Sequence, residues 1–273
     1  MKIAIQGEPG SFSHEAALKL VPEATIVPCP LSADVFAALN EGTVEAAAIP
    51  IENSLAGPVS EHFDLLLNHD VRVERETLLR IRHNLIVVPG TRLESVQDVY
   101  SHPIALAQCK RYIANHPPMK ARAFYDTAGS VKHLMETKPA SAGAIASRAA
   151  ASVYGAEILD AGIEDNQENY TRFFLVRRRT EAVIDPASNK ISLAFSVENR
   201  TGSLVEALSE IAKTGANMTK IESRPVHGKP WEYIFYTDCQ VESGAVADSI
   251  LEALEKRCAM VRELGRYVDG GRL

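Results

Sequence analysis

Short apolar runs alternate with helically spaced apolar residues along the first quarter of the chain. Residues 3–6 are predicted to form a short buried strand, whereas Val35, Phe36 and Leu39 recur at the spacing of one helix face. Pro58 suits the first turn of a further helix. This alternation of strands and helices predicts a largely parallel α/β sheet.

The pattern then changes to two long extended runs, at residues 71–79 and 81–88. A helix predicted over residues 103–116 and a strand predicted over residues 142–146 follow, which indicates a second α/β lobe. A strand at residues 173–176 is expected to return to the first lobe. Two lobes joined by two crossings predict a cleft between them, where ligands tend to bind.

The last third of the chain predicts a small separate domain. A polar stretch that contains Asp185-Pro186 marks a linker, and the elements after it follow the βαββαβ order of ferredoxin-like domains. The predicted boundaries, in chain order, are a first domain over residues 1–180 (lobe one about 1–78 and 170–180, lobe two about 79–169), a linker over residues 181–189, and a second domain over residues 190–273.

The composition is that of an ordinary globular protein. With 46% hydrophobic and 23% charged residues, a chain of 273 residues can bury two cores. The formal net charge of -6 argues against nucleic acid as a partner, because phosphate binding needs concentrated Lys and Arg.

The four cysteines are too widely spaced for a C-x-x-C pair, which argues against a disulfide framework and a zinc site. No apolar run is long enough for a signal peptide or a membrane helix, so we expect no membrane contact and a cytoplasmic location.

Residues 7–13 form a glycine-rich turn between a predicted strand and a predicted helix. The N–H groups at the start of that helix, together with the hydroxyls of Ser11 and Ser13, form a natural site for an anion. The segment lacks the Gly-Lys-Ser/Thr of a nucleotide-binding loop. A tight turn with a serine cap explains the same residues equally well.

Two further polar groups follow predicted strands. Asn53 and Ser54 stand where ligands dock in α/β sheets, although both residues are also common in capped turns. Ser101 precedes a helix that Pro103 can open, and Gln108 lies about a turn and a half into it; the alternative is a simple cap and a solvent-facing glutamine. The adjacent cysteine at position 109 is expected in the core rather than as a nucleophile. Neither His83 nor His102 has an obvious carboxylate partner, so a catalytic triad is not supported.

The segment Asn169-Tyr170-Thr171-Arg172-Phe173 places a hydroxyl beside an aromatic ring. In a strand, Thr171 and Phe173 share one face while Arg172 points to the other. A threonine hydroxyl in a dry pocket can donate a proton. An ordinary β-branched residue of a strand would explain the same sequence pattern.

Taken together, these segments resemble prephenate dehydratases in order and in approximate spacing, over nearly the whole chain. The C-terminal part resembles the ACT regulatory domain of that family through Gly202-Ser203-Leu204-Val205 and Glu222-Ser223-Arg224-Pro225. The resemblance implies an α/β fold with a two-lobed, periplasmic-binding-protein-like catalytic domain and a C-terminal ferredoxin-like ACT domain. Two positions depart from the family pattern: Ile104 replaces a common Gln, and Ser203 replaces a common Ala.

The resemblance also implies a reaction, in which prephenate loses CO₂ and water to give phenylpyruvate without a cofactor or a metal. It assigns Thr171 to the leaving hydroxyl, with Asn53, Ser101 and Gln108 orienting the substrate. The further substrate contacts that it implies are Ser11, Ser13, Ser54, Thr127 and Phe173.

Regulation by L-phenylalanine is implied through the ACT domain, with the effector held between the domains of two chains. A homodimer is expected, or a homotetramer. The residues expected to hold the effector are Gly202, Ser203, Leu204, Asn217 and Ser223.

Two other functions remain open on the sequence. Arogenate dehydratases share this architecture, and residues 6–10 and 126–130 look somewhat like that branch. A sensor of amino acids without catalysis would keep the cleft and the ACT domain but would not need Thr171, Asn53 and Gln108 together. No helical segment of the length of a chorismate mutase domain precedes Gly7, so we expect the monofunctional form.

Overall fold

The computed structural model describes residues 1–226 and 228–271, with strands numbered β1 to β15 and helices α1 to α9 in chain order. The chain divides into two compact units. Unit one contains Met1–Val59 and Leu78–Phe173, and unit two contains Ser60–Thr77 and the described chain from Phe174 onward. Two of the three boundaries fall inside long strands, β5 (Val71–Arg80) and β11 (Tyr170–Arg178), so each of these strands contributes residues to both units.

The first lobe of unit one is built around a parallel sheet. Its elements are β1 (Lys2–Gln6), α1 (Phe12–Leu20), β2 (Thr25–Cys29), α2 (Ser32–Glu41), β3 (Ala46–Asn53) and the short β4 (Gly57–Pro58). Strand β1 pairs in parallel with β2 and β3, and the order continues from β3 to β11. Ile3, Ala4 and Ile5 are fully buried, as expected for a parallel strand covered on both faces.

The second lobe of unit one contains a five-stranded mixed sheet. Its elements are β6 (Asn84–Val87), β7 (Asp98–Ser101), α4 (Pro103–Gln108), α5 (Lys110–Ala114), β8 (Lys120–Ala123), α6 (Thr127–Thr137), β9 (Ala142–Ala146), α7 (Arg148–Tyr154) and β10 (Glu157–Ala161). The strand order is β10-β6-β9-β7-β8, in which β7, β8 and β9 run parallel and β6 runs against its neighbours. Leu85 and Ile86 are adjacent in β6 and point to opposite faces of the sheet, so each belongs to a different apolar cluster.

Unit two contains the predicted ferredoxin-like domain. Its elements beyond the ends of β5 and β11 are α3 (Ser60–Asn68), β12 (Lys190–Ser196), α8 (Ser203–Lys213), β13 (Asn217–Pro225), β14 (Tyr233–Gln240), α9 (Gly244–Glu255) and β15 (Met260–Tyr267). The antiparallel order β13-β14-β12-β15 is that of a βαββαβ ferredoxin-like sheet. The predicted fold class, a two-lobed α/β domain with a C-terminal ferredoxin-like domain, is therefore confirmed.

Helix α3 also belongs to unit two, and its C-terminus is held by the ferredoxin-like sheet. The Arg262 guanidinium donates hydrogen bonds of 2.5 Å to the carbonyl oxygens of Leu67 and His69. These carbonyls lack partners within their own helix, so an arginine is a fitting cap.

Two helices differ from their predicted extents. Pro58 does not open a helix: it pairs with Glu52 in β4, and α3 begins two residues later at Ser60. A proline without an N–H group is tolerated at such a short edge strand. The single helix predicted over residues 103–116 is interrupted at Cys109, since the carbonyl oxygen of Gln108 accepts the N–H of Asp165 at 2.7 Å. Strand β10 was not predicted.

The ferredoxin-like sheet meets β5 at a very close backbone approach. Gly265 of β15 is the parallel partner of Val73, and a Cβ built on Gly265 would lie 2.2 Å from the Val73 carbonyl oxygen. Any side chain at position 265 would therefore force these two strands apart.

We expect Gly265→Ala to lower the stability of unit two by about 1–3 kcal/mol, which is the usual cost of overpacking. The corresponding fall in Tm is roughly 2–12 °C by thermal unfolding. Gly244→Ala is the matched control, because Gly244 begins α9 and an added Cβ there meets nothing within 4 Å. A Gly265→Ala variant that melts with the wild type and the Gly244→Ala control would contradict the close approach.

Candidate active site

A cavity of about 430 Å³ lies within unit one and is lined by residues of both lobes. None of the lining residues is a Lys or an Arg in the part of the chain that the structure describes, and Asp126 is the one carboxylate among them. Its lining includes most of the residues that the sequence pointed to, namely Ser11, Ser13, Asn53, Gln108, Thr127, Thr171 and Phe173.

Two helix N-termini border the cavity and supply positive potential there. Helix α1 begins at Phe12 with Ser11 as its cap, and α6 begins at Thr127 with Asp126 as its cap. The first turn of each helix contributes residues to the cavity wall, among them Ser13. Unpaired N–H groups and the helix dipole favour an anion at such positions.

The carboxamide of Asn53 has its orientation fixed by the backbone. Its Oδ1 accepts the N–H groups of Leu55 and Ala56 at 3.0 and 2.8 Å, which closes the turn after β3. Its Nδ2 therefore faces β11, where it donates to the Tyr170 carbonyl oxygen at 3.1 Å and to Thr171 Oγ1 at 2.9 Å. A flipped amide would place its NH₂ group against two N–H donors, so only this orientation is possible.

Thr171 lies in the cavity wall with its hydroxyl proton unused by the described protein groups. The side chain is 8% exposed, and Phe173 lines the same cavity, whereas Arg172 does not. Because Nδ2 of Asn53 can only donate, the Thr171 oxygen is the acceptor in their hydrogen bond. The O–H of Thr171 is then available to a ligand in the cavity.

Gln108 and Asn169 extend this hydrogen-bonded group across the cavity wall. Asn169 accepts from Asn53 Nδ2 at 2.8 Å through its Oδ1, and its own Nδ2 donates to Gln108 Oε1 at 2.9 Å. Gln108 Nε2 points back to Asn53 Oδ1 at 3.4 Å. Gln108 Oε1 also lies 2.9 Å from His83 Nε2. Side chains from β3, α4 and β11 thus form one polar group with Thr171 at its cavity side.

Burial shifts the pKa of two ionisable side chains at the cavity. It lowers the pKa of His83, so the imidazole is neutral near pH 7. It also raises the pKa of the Asp126 carboxyl, an effect partly opposed by the hydrogen bond from the Gly129 N–H. Both shifts reduce the charge at the cavity wall.

Two predicted site residues do not line the cavity. Ser101 is fully buried, and its hydroxyl donates to the Ile145 carbonyl oxygen at 2.5 Å. Ser54 is exposed: its hydroxyl donates to the Glu168 carbonyl oxygen and accepts the Tyr170 N–H. Ser101 therefore ties β7 to β9, and Ser54 ties the turn after β3 to the start of β11, so in this structure neither hydroxyl is offered to a ligand.

Two polar residues of the hydrogen-bonded group around Thr171 were not assigned from the sequence. Asn169 directly precedes β11, and its side chain, like that of Thr171, accepts from Asn53 Nδ2. Its position two residues before Thr171 would have identified it as a candidate. His83 was set aside for want of a carboxylate partner, but its partner is the amide of Gln108. Cys109, by contrast, is fully buried in an apolar cluster, and burial raises the pKa of its thiol, so its predicted place in the core is confirmed.

The residues expected to bind an effector lie at two places in unit two. Gly202 caps α8 with φ = 86°, Ser203 Oγ donates to the Arg200 carbonyl oxygen, and Leu204 packs against the core of the domain. Asn217 and Ser223 lie on β13, the edge strand, with exposed side chains.

Neither a metal cluster nor a membrane helix is found in the described residues. No group of three or more His, Cys, Asp or Glu side chains over residues 1–226 and 228–271 is arranged to hold a metal ion. Within the same residues, no helix is both long and apolar enough to cross a bilayer. All four cysteines are free thiols.

Comparison with known families and structures agrees with this architecture. The prephenate dehydratase family model matches residues 3–181, and the ACT domain model matches residues 191–259. A crystal structure of prephenate dehydratase from Arthrobacter aurescens in complex with L-Phe is similar with a TM-score of 0.90 and 29% identity, covering 99% of this chain and 90% of that one. GqqA, described as a novel type of quorum quenching acylase, has a TM-score of 0.89 and 32% identity, covering 98% of both chains.

Curated relatives come from plants and bacteria. Arogenate dehydratase/prephenate dehydratase 2 of Arabidopsis thaliana, a chloroplastic protein, is 36% identical over 98% of this chain and 72% of its own. The bifunctional chorismate mutase/prephenate dehydratase of Escherichia coli is 33% identical over 97% of this chain and 70% of its own. The matches over nearly the full length confirm the resemblance seen in the motifs, and the chain belongs to the prephenate dehydratase family.

Proposed function

We propose that this protein converts prephenate to phenylpyruvate and that Thr171 acts on the leaving hydroxyl. The observation that carries the proposal is the O–H of Thr171, which no described protein group uses. The Thr171 oxygen is held by Asn53, and the described residues of the cavity wall include no Lys or Arg. A hydroxyl held from behind by an amide can present its hydrogen in only a narrow range of directions, which favours donation to one atom of a ligand.

In this reaction the bond between the ring and its carboxylate breaks, and CO₂ leaves. The electron pair of that bond enters the ring as the C–O bond to the hydroxyl breaks, and the departing hydroxide takes up a proton to become water. A threonine hydroxyl is a very weak acid, so Thr171 acts as a hydrogen-bond donor to the leaving oxygen and does not supply the whole proton. One such oriented donor is typically worth about 3 kcal/mol of transition-state stabilisation.

The charge arrangement of the cavity suits a carboxylate that has to leave. A carboxylate paired with a Lys or an Arg would be stabilised in the ground state, which would slow the loss of CO₂. The N-termini of α1 and α6 offer N–H groups to a second carboxylate without placing a full positive charge in the wall. The hydroxyls of Ser11, Ser13 and Thr127 are at the same helix starts, which supports substrate contacts there.

The choice of prephenate over arogenate is supported by the hydrogen bonding and the burial of the Asp126 carboxyl group. Arogenate carries an ammonium group where prephenate has a keto group, and an ammonium needs a carboxylate partner when it is buried. Asp126 is the one carboxylate in the described wall, and as the cap of α6 it already accepts the Gly129 N–H at 2.6 Å. Burial also raises its pKa, which disfavours the charged form that an ammonium would need.

Hydrolysis of an acyl group, the activity named for GqqA, is less well supported by the site. A threonine nucleophile needs a base that removes its proton. The described partner of Thr171 Oγ1 is the Nδ2 of Asn53, which has no lone pair available to accept a proton.

For regulation, we propose that L-phenylalanine binds to the ACT domains of two paired copies of the chain. The ACT family match and the likeness to a prephenate dehydratase solved with L-Phe support this proposal. The left-handed Gly202 at the start of α8 leaves N–H groups open to the carboxylate of an amino acid, and Asn217 and Ser223 offer exposed polar groups on the edge strand.

The first prediction concerns Thr171. Removal of its hydroxyl in Thr171→Ala should lower kcat on prephenate by on the order of 10²–10³, because the leaving oxygen loses its donor. Thr171→Ser keeps the hydroxyl and should retain most of the activity. Phenylpyruvate absorbance measures both rates, and thermal unfolding verifies that each variant is folded. Normal kcat in folded Thr171→Ala would refute the assignment, and a wild-type protein that converts neither prephenate nor arogenate would favour the amino-acid sensor.

A second prediction concerns the substrate. The wild-type value of kcat/KM should be higher on prephenate than on arogenate by at least about tenfold, since each 1.4 kcal/mol of differential binding changes the ratio tenfold. Both reactions can be followed under the same conditions by their products, phenylpyruvate and phenylalanine. A preference for arogenate of the same size would overturn the choice made from Asp126.

The third prediction concerns the effector. Gly202→Ala should weaken L-phenylalanine binding, measured by calorimetry, because an alanine is strained at φ = 86° and would shift the start of α8. Gly215→Ala is the matched control: Gly215 lies just past the other end of α8 with φ = 80°, and a Cβ there meets nothing within 4 Å. Both variants should lose comparable stability, but only Gly202→Ala should lose affinity. Equal affinity in the two variants, or no binding by the wild type, would contradict the proposal.

A further inference from the structure

The hydrogen-bonded group that contains Thr171 ends at His83, a residue to which the proposed reaction assigns no role. His83 is 2% exposed and lines the cavity, and because its imidazole stays neutral it brings no positive charge to the substrate. Its Nδ1 is buried and has no hydrogen-bond partner among the described groups. A buried polar atom left without a partner is costly, so the residue at this position calls for a physical reason.

The direction of every hydrogen bond in the group follows from the backbone. Asn53 is fixed by the N–H groups of the turn that follows it, and its Nδ2 is therefore the donor to Asn169 Oδ1. The Nδ2 of Asn169 must then be the donor to Gln108, which makes the contacting Gln108 atom the carbonyl Oε1. Since Oε1 can only accept, the Nε2 of His83 must carry a proton.

The other contacts of His83 hold the residue in place but leave its Nδ1 without a hydrogen-bond partner among the described groups. The backbone N–H of His83 donates to Glu164 Oε2 at 2.9 Å, and its ring makes a T-shaped contact with Phe12 at a centroid distance of 5.5 Å. The ring is thus a neutral Nε2–H tautomer that is fixed from two sides, with its one proton aimed at Gln108.

We propose that His83 is a positioning residue for the dehydration, acting through Gln108. Its Nε2–H holds the Gln108 carbonyl oxygen in place, so the two N–H groups of Gln108 Nε2 face Asn53 Oδ1 and the cavity. This role rests on the proposed function and on the expectation from the family resemblance that Gln108 orients the substrate.

The consequence of losing His83 follows from the length of the neighbouring contact. Gln108 Nε2 is 3.4 Å from Asn53 Oδ1, a weak hydrogen bond that does little to hold the amide by itself. Without the imidazole, only the Asn169 contact opposes rotation of Gln108. Rotation would turn a donor away from the substrate and place the carbonyl oxygen of Gln108 near that of Asn53.

Kinetics of two substitutions at position 83 test this role. His83→Leu removes the donor at similar volume and should lower kcat by on the order of 10- to 100-fold with a smaller change in KM, as for other outer partners that orient an active group. His83→Gln can place an amide N–H near the former Nε2 and should recover much of the loss. His116→Leu is the matched control, because His116 is in the same lobe with its Nδ1 on the Tyr112 carbonyl and does not line the cavity.

A double-mutant cycle separates action through Gln108 from a general packing effect. If His83 acts through Gln108, the double variant His83→Leu/Gln108→Ala should be no slower than Gln108→Ala alone. Multiplicative losses in kcat would overturn the proposal, as would wild-type kcat in His83→Leu. Equal impairment in folded His83→Gln and His83→Leu would also count against it.

Imidazole ¹⁵N NMR of the wild-type protein tests the geometry without any substrate. The His83 signal, assigned by its absence in His83→Gln, should show a neutral ring protonated at Nε2. A ring protonated at Nδ1, or a charged ring at pH 7, would overturn the proposal even if the enzyme is active. If the expected tautomer is found but neither prephenate nor arogenate reacts, the proposed function has failed and the kinetic role of His83 fails with it, while the hydrogen-bond geometry stands.

Discussion

The carboxamide of Asn53 is the side chain on whose orientation the rest of the site depends. Its oxygen is bound by two backbone N–H groups in the turn after β3, and these donors cannot be exchanged for acceptors. The remaining face of the amide is therefore always a donor, and Thr171, Asn169 and the Tyr170 carbonyl all accept from it. The two hydrogens of Asn53 Nδ2 are shared among these three acceptors, so all three lie close to the amide. The start of β11 is thereby held against the end of β3.

The position of Gln108 is set by which backbone N–H binds its carbonyl oxygen. A continuous helix over residues 103–116 would direct the carbonyl of Gln108 to an N–H one turn further along. In the structure that carbonyl accepts the N–H of Asp165, while the Asp165 carboxylate accepts the N–H of Arg111 at the start of α5. The loop before β11 therefore ends one helix and caps the next. Gln108 becomes the last residue of α4, and its side chain can reach both Asn169 and Asn53.

These two constraints explain which parts of the site could be predicted from the sequence. Strand alternation and motif order were sufficient to predict the α/β lobes, the ferredoxin-like order and the face shared by Thr171 and Phe173, because each depends on local periodicity. The partners of Ser101 and Ser54 could not be predicted, since a serine beside a strand can serve a ligand or a neighbouring carbonyl equally well. Pro58 was misplaced for a related reason: the preference of proline for a helix start gave way to a turn closed by the Asn53 side chain.

His83 shows most clearly why a sequence can hide a functional contact. A search for histidine chemistry looks for a carboxylate partner, whereas the partner here is an amide 25 positions away whose own orientation is set by two further amides. A charged partner would place a full charge behind Thr171, and a charge there would stabilise the carboxylate that has to leave or repel the whole substrate. A chain of neutral amides that ends in a neutral imidazole fixes direction without adding charge. The described lining of the cavity likewise contains helix N-termini and no Lys or Arg. In the proposed reaction these dipoles would orient the ligand, whereas full positive charges would stabilise the ground state that the reaction must leave.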